Sequence, residues 1–586
     1  MTFRSHPISL LVLGGLLAVL GACSSDTHKD QAVLAHVPAD TPYVFANLEP
    51  LKRDVLDAWL ATANAQIPMQ VRQNRQAARE LAEDSPRLAK LMSAMADEMD
   101  GTTWQQKFAE AGVDLGGHFA WYGLGLSPVL RGQLKDPAKF QAFITHLAKA
   151  ADIPLQSGRV DTIDYRHFDL PKLQVMGVIS QHDGQFAIAL LPMAKQEKLL
   201  RLALGADMPS PAGAVASRLA TLADKQGYIP QGIGYLDTDK LLTDLSSGKD
   251  GMVRSLLDSA DSTKDKDLNT ALADFAGPAC QSDLKRIAAR VPQITFGYTH
   301  LDTVRASQRM NVNFAPDISA AFTGVRSTLP GLGDTRHAPV DVAMALPMPE
   351  IRDFWTAQAQ AVAAKPFTCK PLVGLNKAFE QIGQKIVQTA IPPFGNLRGL
   401  RAAIDSLGAG SDKDSMPQVQ GRLLLALKDP ESVLAMARTM LQPLNSMQLK
   451  PDGKPVALPK SLSQFTREPV WLAMNDHALA LSIGPQEKDK LPTALSAAGG
   501  AAGQLASVHL EGATLAQWIR AAADRFVPLA TQGKDASELG RAKSMRESID
   551  AAARSYESIK QLDFKVRMDK SGLVIDSEAE LAAGTH

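Results

Sequence analysis

The chain has 586 residues, 45% of them apolar and 5% aromatic, with 62 basic side chains set against 62 acidic ones. That length exceeds one ordinary domain, and the apolar share excludes wholesale disorder. Charge balance and scarce aromatics exclude nucleic acid as a main partner, and the three cysteines are too few for a disulfide-stapled miniature fold or a multi-cysteine zinc site.

Residues 1–22 read as an export signal. Arg4 and His6 give a short basic start, and Ile8 to Ala22 form an apolar run. The run is about fifteen residues, short of the roughly 20 that a membrane helix needs. It ends in Leu20-Gly21-Ala22-Cys23, which resembles the bacterial lipoprotein signal. There a small-residue pair precedes a cysteine that is lipidated on its thiol and, after cleavage, on its new α-amine. The resemblance implies Cys23 as the lipidation site, and Ser24 in place of aspartate implies sorting to the outer membrane. Residues 23–36 are then the lipidated cysteine and a tether. The mature chain is expected on the periplasmic face, its membrane partner reached through acyl chains worth about 0.8 kcal/mol per buried methylene. Only Cys280 and Cys369 then remain, in an oxidising compartment. Pairing would close a loop of about 90 residues and stabilise by about 4–5 kcal/mol. The alternative is two buried free thiols, because spacing alone does not bring Cα atoms within about 7 Å.

Further along, the chain is written twice. Leu134-Lys135-Asp136-Pro137 opens a helical run, followed by an apolar stretch around His182-Asp183-Gly184 and then by Gln196-Glu197-Lys198. Leu427-Lys428-Asp429-Pro430 opens another, followed by Asn475-Asp476-His477 and Gln486-Glu487-Lys488. Aspartate capping with proline in the first turn predicts a helix start. The two turn triplets, set between alternating apolar runs, predict hairpins, and the Gln-Glu-Lys segments predict helices packed back on them. Fainter parallels join Pro42–Leu48 to Val340–Leu346, Gly234–Asp237 to Val508–Glu511, and Ile294–Tyr298 to Leu562–Val566. Order-preserving anchors with drifting offsets predict a duplication with loop insertions. The expected fold class is α+β: two tandem duplicated units, each a mainly antiparallel sheet with helices packed on it. The first unit is placed at 37–316 and the second at 338–586. The stretch 317–337, with the Gly- and Pro-rich Ser327–Pro339, reads as a linker. On this map a Cys280–Cys369 bond would clamp the two units across the joint.

The residues offer little chemistry. Leu88, Leu91, Met92, Met95 and Met99 share a helical face, which reads as a core stripe in preference to a soft-metal site. His118, His146, His167, His182, His300, His337, His477 and His509 include no zinc spacing. Arg166 and His167 fall on opposite faces of a strand, so they do not cooperate. The chain contains neither a nucleophile elbow nor a phosphate-cradling loop. The Ser-x-x-Lys sequences at Ser246–Lys249 and Ser282–Lys285 lack companion motifs. No catalytic residue, metal ligand or cofactor is therefore assigned.

Val37-Pro38-Ala39-Asp40-Thr41-Pro42-Tyr43 opens the mature domain. The phrase resembles uncharacterised bacterial envelope proteins that begin P-A-D-T before a first strand and carry similar Asp-Pro helix starts, a domain of unknown function. The resemblance implies no activity and no site residue. The expected role is a binding or scaffold module, with a protein or hydrophobic ligand in a cleft between the units. The alternative is a periplasmic hydrolase whose site is assembled from distant residues, with His118, His146 or His167 brought to a serine or carboxylate.

Overall fold

The computed structural model describes residues 32–582, apart from 84, 172–173, 194–196, 248–249, 254–273, 276, 389–393, 409–417, 465, 467 and 532–535. The export signal and Cys23 lie outside the described residues. The chain is mixed helix and antiparallel sheet, in two compact units. The first runs to Gln308 and includes Cys369–Pro371; the second holds Arg309–Thr368 and the chain from Leu372 onward.

The strands of the first unit are β1 (Tyr43–Ala46), β2 (Phe119–Leu124), β3 (Ser127–Gln133), β4 (Gln156–Val160), β5 (Ile163–Leu170), β6 (Val175–His182), β7 (Gln185–Pro192), β8 (Ile233–Asp237) and β9 (Gln293–Leu301). Their order across the sheet is β4-β5-β6-β7-β3-β2-β1-β8-β9, all antiparallel. The boundary between units falls inside β10 (Arg305–Asn313). The β6–β7 hairpin turns at Asp183 and Gly184, both at positive φ (48° and 71°), which the twist of a two-residue hairpin requires. Asp136 caps the helix Pro137–Ala150 by accepting from the Ala138 and Lys139 amides. The methionine-bearing face lies on the helix Pro86–Met99, which starts at Pro86 after the helix Ile67–Leu81.

The second unit holds β11 (Val340–Ala345), β12 (Leu397–Gly408), β13 (Gln418–Leu427), β14 (Val456–Ala457), β15 (Val470–Met474), β16 (Ala478–Ile483), β17 (Gln504–Glu511), β18 (Ile559–Met568) and β19 (Gly572–Leu581). Their order is β14-β15-β16-β13-β12-β11-β17-β18-β19, again antiparallel. Asp429 caps the helix Pro430–Met440 through the Ser432 amide.

Three expectations are corrected. The stretch 317–337 is not a linker. It contributes to the helix Pro316–Thr323 and then forms a strap of the second unit, in which Leu329 and Leu332 are fully buried. Gly331 sits at φ +83°, where a Cβ would collide with the Arg401 guanidinium, so its Gly/Pro content serves a tight path over the sheet. The segment Gln486–Lys488 is not helical, the helix being only Leu491–Ser496. Glu487 is instead buried against Arg422. Finally, Cys280 and Cys369 form the expected disulfide, with Cα atoms 4.4 Å apart, and only its place is corrected. Cys369 belongs with the first unit, so the bond closes inside that unit. The Cys369 amide also donates to Asp283 of the same helix as Cys280 (2.8 Å).

A half-buried histidine makes the first unit pH-sensitive. His36, beside Arg131 and His182, has its pKa lowered from 6.5 to about 4, first by burial and then by the electrostatic effect of Arg131 and, last, His182. A depressed pKa means that the neutral form is favoured on folding, so this stability is present above about 6.5 and is lost as pH falls through about 4. A shift of that size corresponds to about 3 kcal/mol. Thermal melts of the first unit are expected to lose stability across this window, and H36N is expected to flatten the loss.

Candidate functional site

Alternation along β11 places Val340, Val342 and Met344 on one face of the second sheet and Asp341, Ala343 and Ala345 on the other. In this sheet the buried face is the polar one. Asp341 is paired through both oxygens with Arg401 of β12 (2.9 and 2.7 Å), and Arg401 also donates to the Pro330 carbonyl of the strap. Arg422 of β13 meets Asp405 and Glu487, and Lys490 joins both carboxylates. His509 of β17 holds Asp563 of β18 at 2.9 Å, and Arg336 of the strap holds the same carboxylate. Buried charges persist only when paired and hydrogen-bonded. The strap supplies part of that pairing and covers the row.

The opposite face is apolar and incompletely covered. Its registers form continuous rows: Val508, Val342, Ala402, Leu423 and Leu481 in one, and Ala506, Met344, Leu400, Leu425 and Leu479 in the next. None of these ten is fully buried. At the β14–β16 end the face is covered, because Leu434, Leu444, Met447 and Leu449 pack with Leu472 and Met474. The helix Gly512–Thr531 lies against β18 and β17 and also reaches β12. Between them Val342, Met344 and Leu423 stand 38%, 44% and 39% exposed in the middle of the sheet. Central strands normally bury such side chains, each worth about 1.5–3 kcal/mol when covered. The result is a groove with an apolar floor on β11–β13. In the first unit β1 carries rings in contact with its neighbours, Tyr43 with Trp121 and Phe45 with Phe119 and Phe296. No large apolar side chain of its strands β1–β9 is exposed among the described residues.

The residues singled out in the sequence fall elsewhere. His118 is buried, with Nδ1 3.5 Å from the Asn47 carbonyl. His146 pairs with Glu98 at 2.8 Å on an exposed helix surface, where Lys107 shares the carboxylate. That contact, with Lys107, holds the Glu98 pKa below its usual value despite an opposing desolvation. His167 lies 3.7 Å from Asp169, two residues along β5, while Arg166 reaches Thr145 from the other face, as strand alternation predicts. Of the methionine stripe, Leu91 and Met99 pack on cores and Met95 is exposed. The buried His509–Asp563 pair was not singled out in the sequence. Its chemistry is structural, since Asp563 is held by Arg336 and the neighbouring Ser507 hydroxyl is engaged by Thr335 at 3.2 Å. No group of three or more metal-ligating side chains occurs among the described residues. No described helix is long and apolar enough to cross a membrane. Comparison of the chain with family models, with curated proteins and with solved structures finds no match.

Proposed function

We propose that this protein is a lipid-anchored binding module of the bacterial envelope, seated through Cys23 on the periplasmic face of the outer membrane. In this reading its second unit takes an apolar ligand of the acyl-chain class. The observation that carries the reading is the open apolar groove over β11–β13, with Val342, Met344 and Leu423 exposed at its floor. Exposed apolar surface in mid-sheet marks a binding site. Its occupant is argued from the floor itself: two rows of aliphatic side chains with no polar side chain among them, flanked by packed helices at both ends. A protein partner would require a polar rim and hydrogen bonds within such a patch.

We further propose that the chain is one α+β unit used twice. The reading rests on strand order. From the sheet centre, β1 and β11 each lie between the next strand in sequence and a later one, β8 and β17. The hairpins β6–β7 and β15–β16 join β3 and β13 in the same way, and an Asp-Pro cap follows β3 and β13 alike. The duplicates have diverged in use, because the first is packed with aromatic rings where the second is open.

The test is titration of the full chain with a fluorescent fatty-acid probe. V342D/M344K is expected to weaken binding at least tenfold, or about 1.4 kcal/mol, with circular dichroism unchanged. C23S is expected to keep probe binding while leaving the membrane fraction. Equal probe binding by the wild type and V342D/M344K would overturn the ligand assignment.

A further inference from the structure

We propose that the second unit binds a small phosphate-type oxyanion in a cleft separate from the apolar groove. The cleft is about 440 Å³, within the range of small-molecule sites, and is lined by three pieces of chain. The strap contributes Arg326, Ser327, Thr328 and Pro330; the β15–β16 turn contributes Asn475 and His477; residues 495–497 with Gly499 and Gly500 close the third side.

Its frame is fixed by backbone contacts. Gly500 donates to the Ser327 carbonyl (3.1 Å), Gly331 to Ala498 (2.9 Å) and Gly503 to Val325 (2.8 Å). A Cβ on Gly499 would lie 2.6 Å from the Ser327 carbonyl, so this wall requires glycine. Asn475 is fully engaged, accepting from the His477 and Ala478 amides and donating to Leu495. A site positioned before its ligand arrives loses less on binding.

The polar groups left over are donors. The Arg326 guanidinium, the Thr328 hydroxyl and the His477 imidazole are solvent-exposed and have no protein partner among the described residues, whereas the buried Arg401 and Arg422 are each held by a carboxylate. The lining contains no aspartate or glutamate. Asp476, on the same turn, is exposed and outside the lining. A guanidinium, an imidazole and a hydroxyl without a competing acid suit a ligand that offers several acceptor oxygens and negative charge. Phosphate and phosphate monoesters have that chemistry, whether free or as a lipid headgroup.

The experiment is calorimetric titration of the full chain at low salt with inorganic phosphate. A parallel arm uses phosphatidylcholine vesicles with and without phosphatidic acid, on the C23S chain so that the anchor does not report. Saturable phosphate binding is expected, weakened at least tenfold in R326Q and further in R326Q/H477N, with melting temperature unchanged. Vesicle binding that requires phosphatidic acid and is lost in R326Q assigns the site to a headgroup; binding of inorganic phosphate alone assigns it to a free anion. The proposal is overturned if the wild type binds neither probe, or if R326Q/H477N binds as the wild type does. V342D/M344K is expected to leave phosphate binding intact, which separates this site from the apolar groove.

Discussion

D341A is expected to destabilise the second unit by about 3–5 kcal/mol. Both partners of the Arg401–Asp341 pair are withdrawn from solvent, at 2% and 0% side-chain exposure. Removing the carboxylate leaves a guanidinium in the interior with the Pro330 carbonyl as its remaining acceptor. The cost is the desolvation of an unpaired charge rather than the net worth of the bridge. The double variant D341L/R401M, which removes both charges at similar volume, is therefore expected to be nearly neutral. Urea midpoints of the second unit check both. A D341A variant as stable as D341L/R401M would show that the guanidinium finds water, and that the strap does not seal the row.

C280A/C369A is expected to lower stability by about 4–5 kcal/mol when the two units unfold together, from the entropy of a loop closed over 89 residues of sequence separation. Because the loop runs through the chain of the second unit, the effect shrinks if that unit stays folded while the first one opens. Denaturant midpoints with and without reductant check this. Wild type under reductant should reproduce the double variant under oxidising conditions, and the double variant should be insensitive to reductant.

Local signals in this chain were legible where a few adjacent residues settle the geometry. Asp136-Pro137 and Asp429-Pro430 begin helices because the aspartate side chain satisfies free amides and proline needs none. His182-Asp183-Gly184 turns a hairpin because Asp and Gly tolerate positive φ. The strap shows the limit of such local signals. Gly and Pro mark irregular backbone, and Ser327–Pro339 is irregular, but composition does not tell irregular chain over a sheet from irregular chain in solvent. Leu329 and Leu332, both fully buried, were the signal against a linker. Glu487 was likewise placed on a helix, since its partner Arg422 lies 65 residues away.

The candidate groove shows the limit more sharply. The period of two along Val340–Ala345 determines that Val340, Val342 and Met344 share one face and Asp341, Ala343 and Ala345 the other. By hydropathy alone the valines and methionine belong inside. The structure buries Asp341, because Arg401, His509, Asp563 and the strap assemble from strands distant in sequence to neutralise the polar row. By itself, then, the sequence determined the strand faces, the helix caps and the hairpin turns, all set by neighbours within a few residues. Which face is sealed, and which is left open between two packed ends of the sheet, was decided only by the tertiary structure. Burial depends on what covers a surface, and the covering residues come from remote parts of the chain.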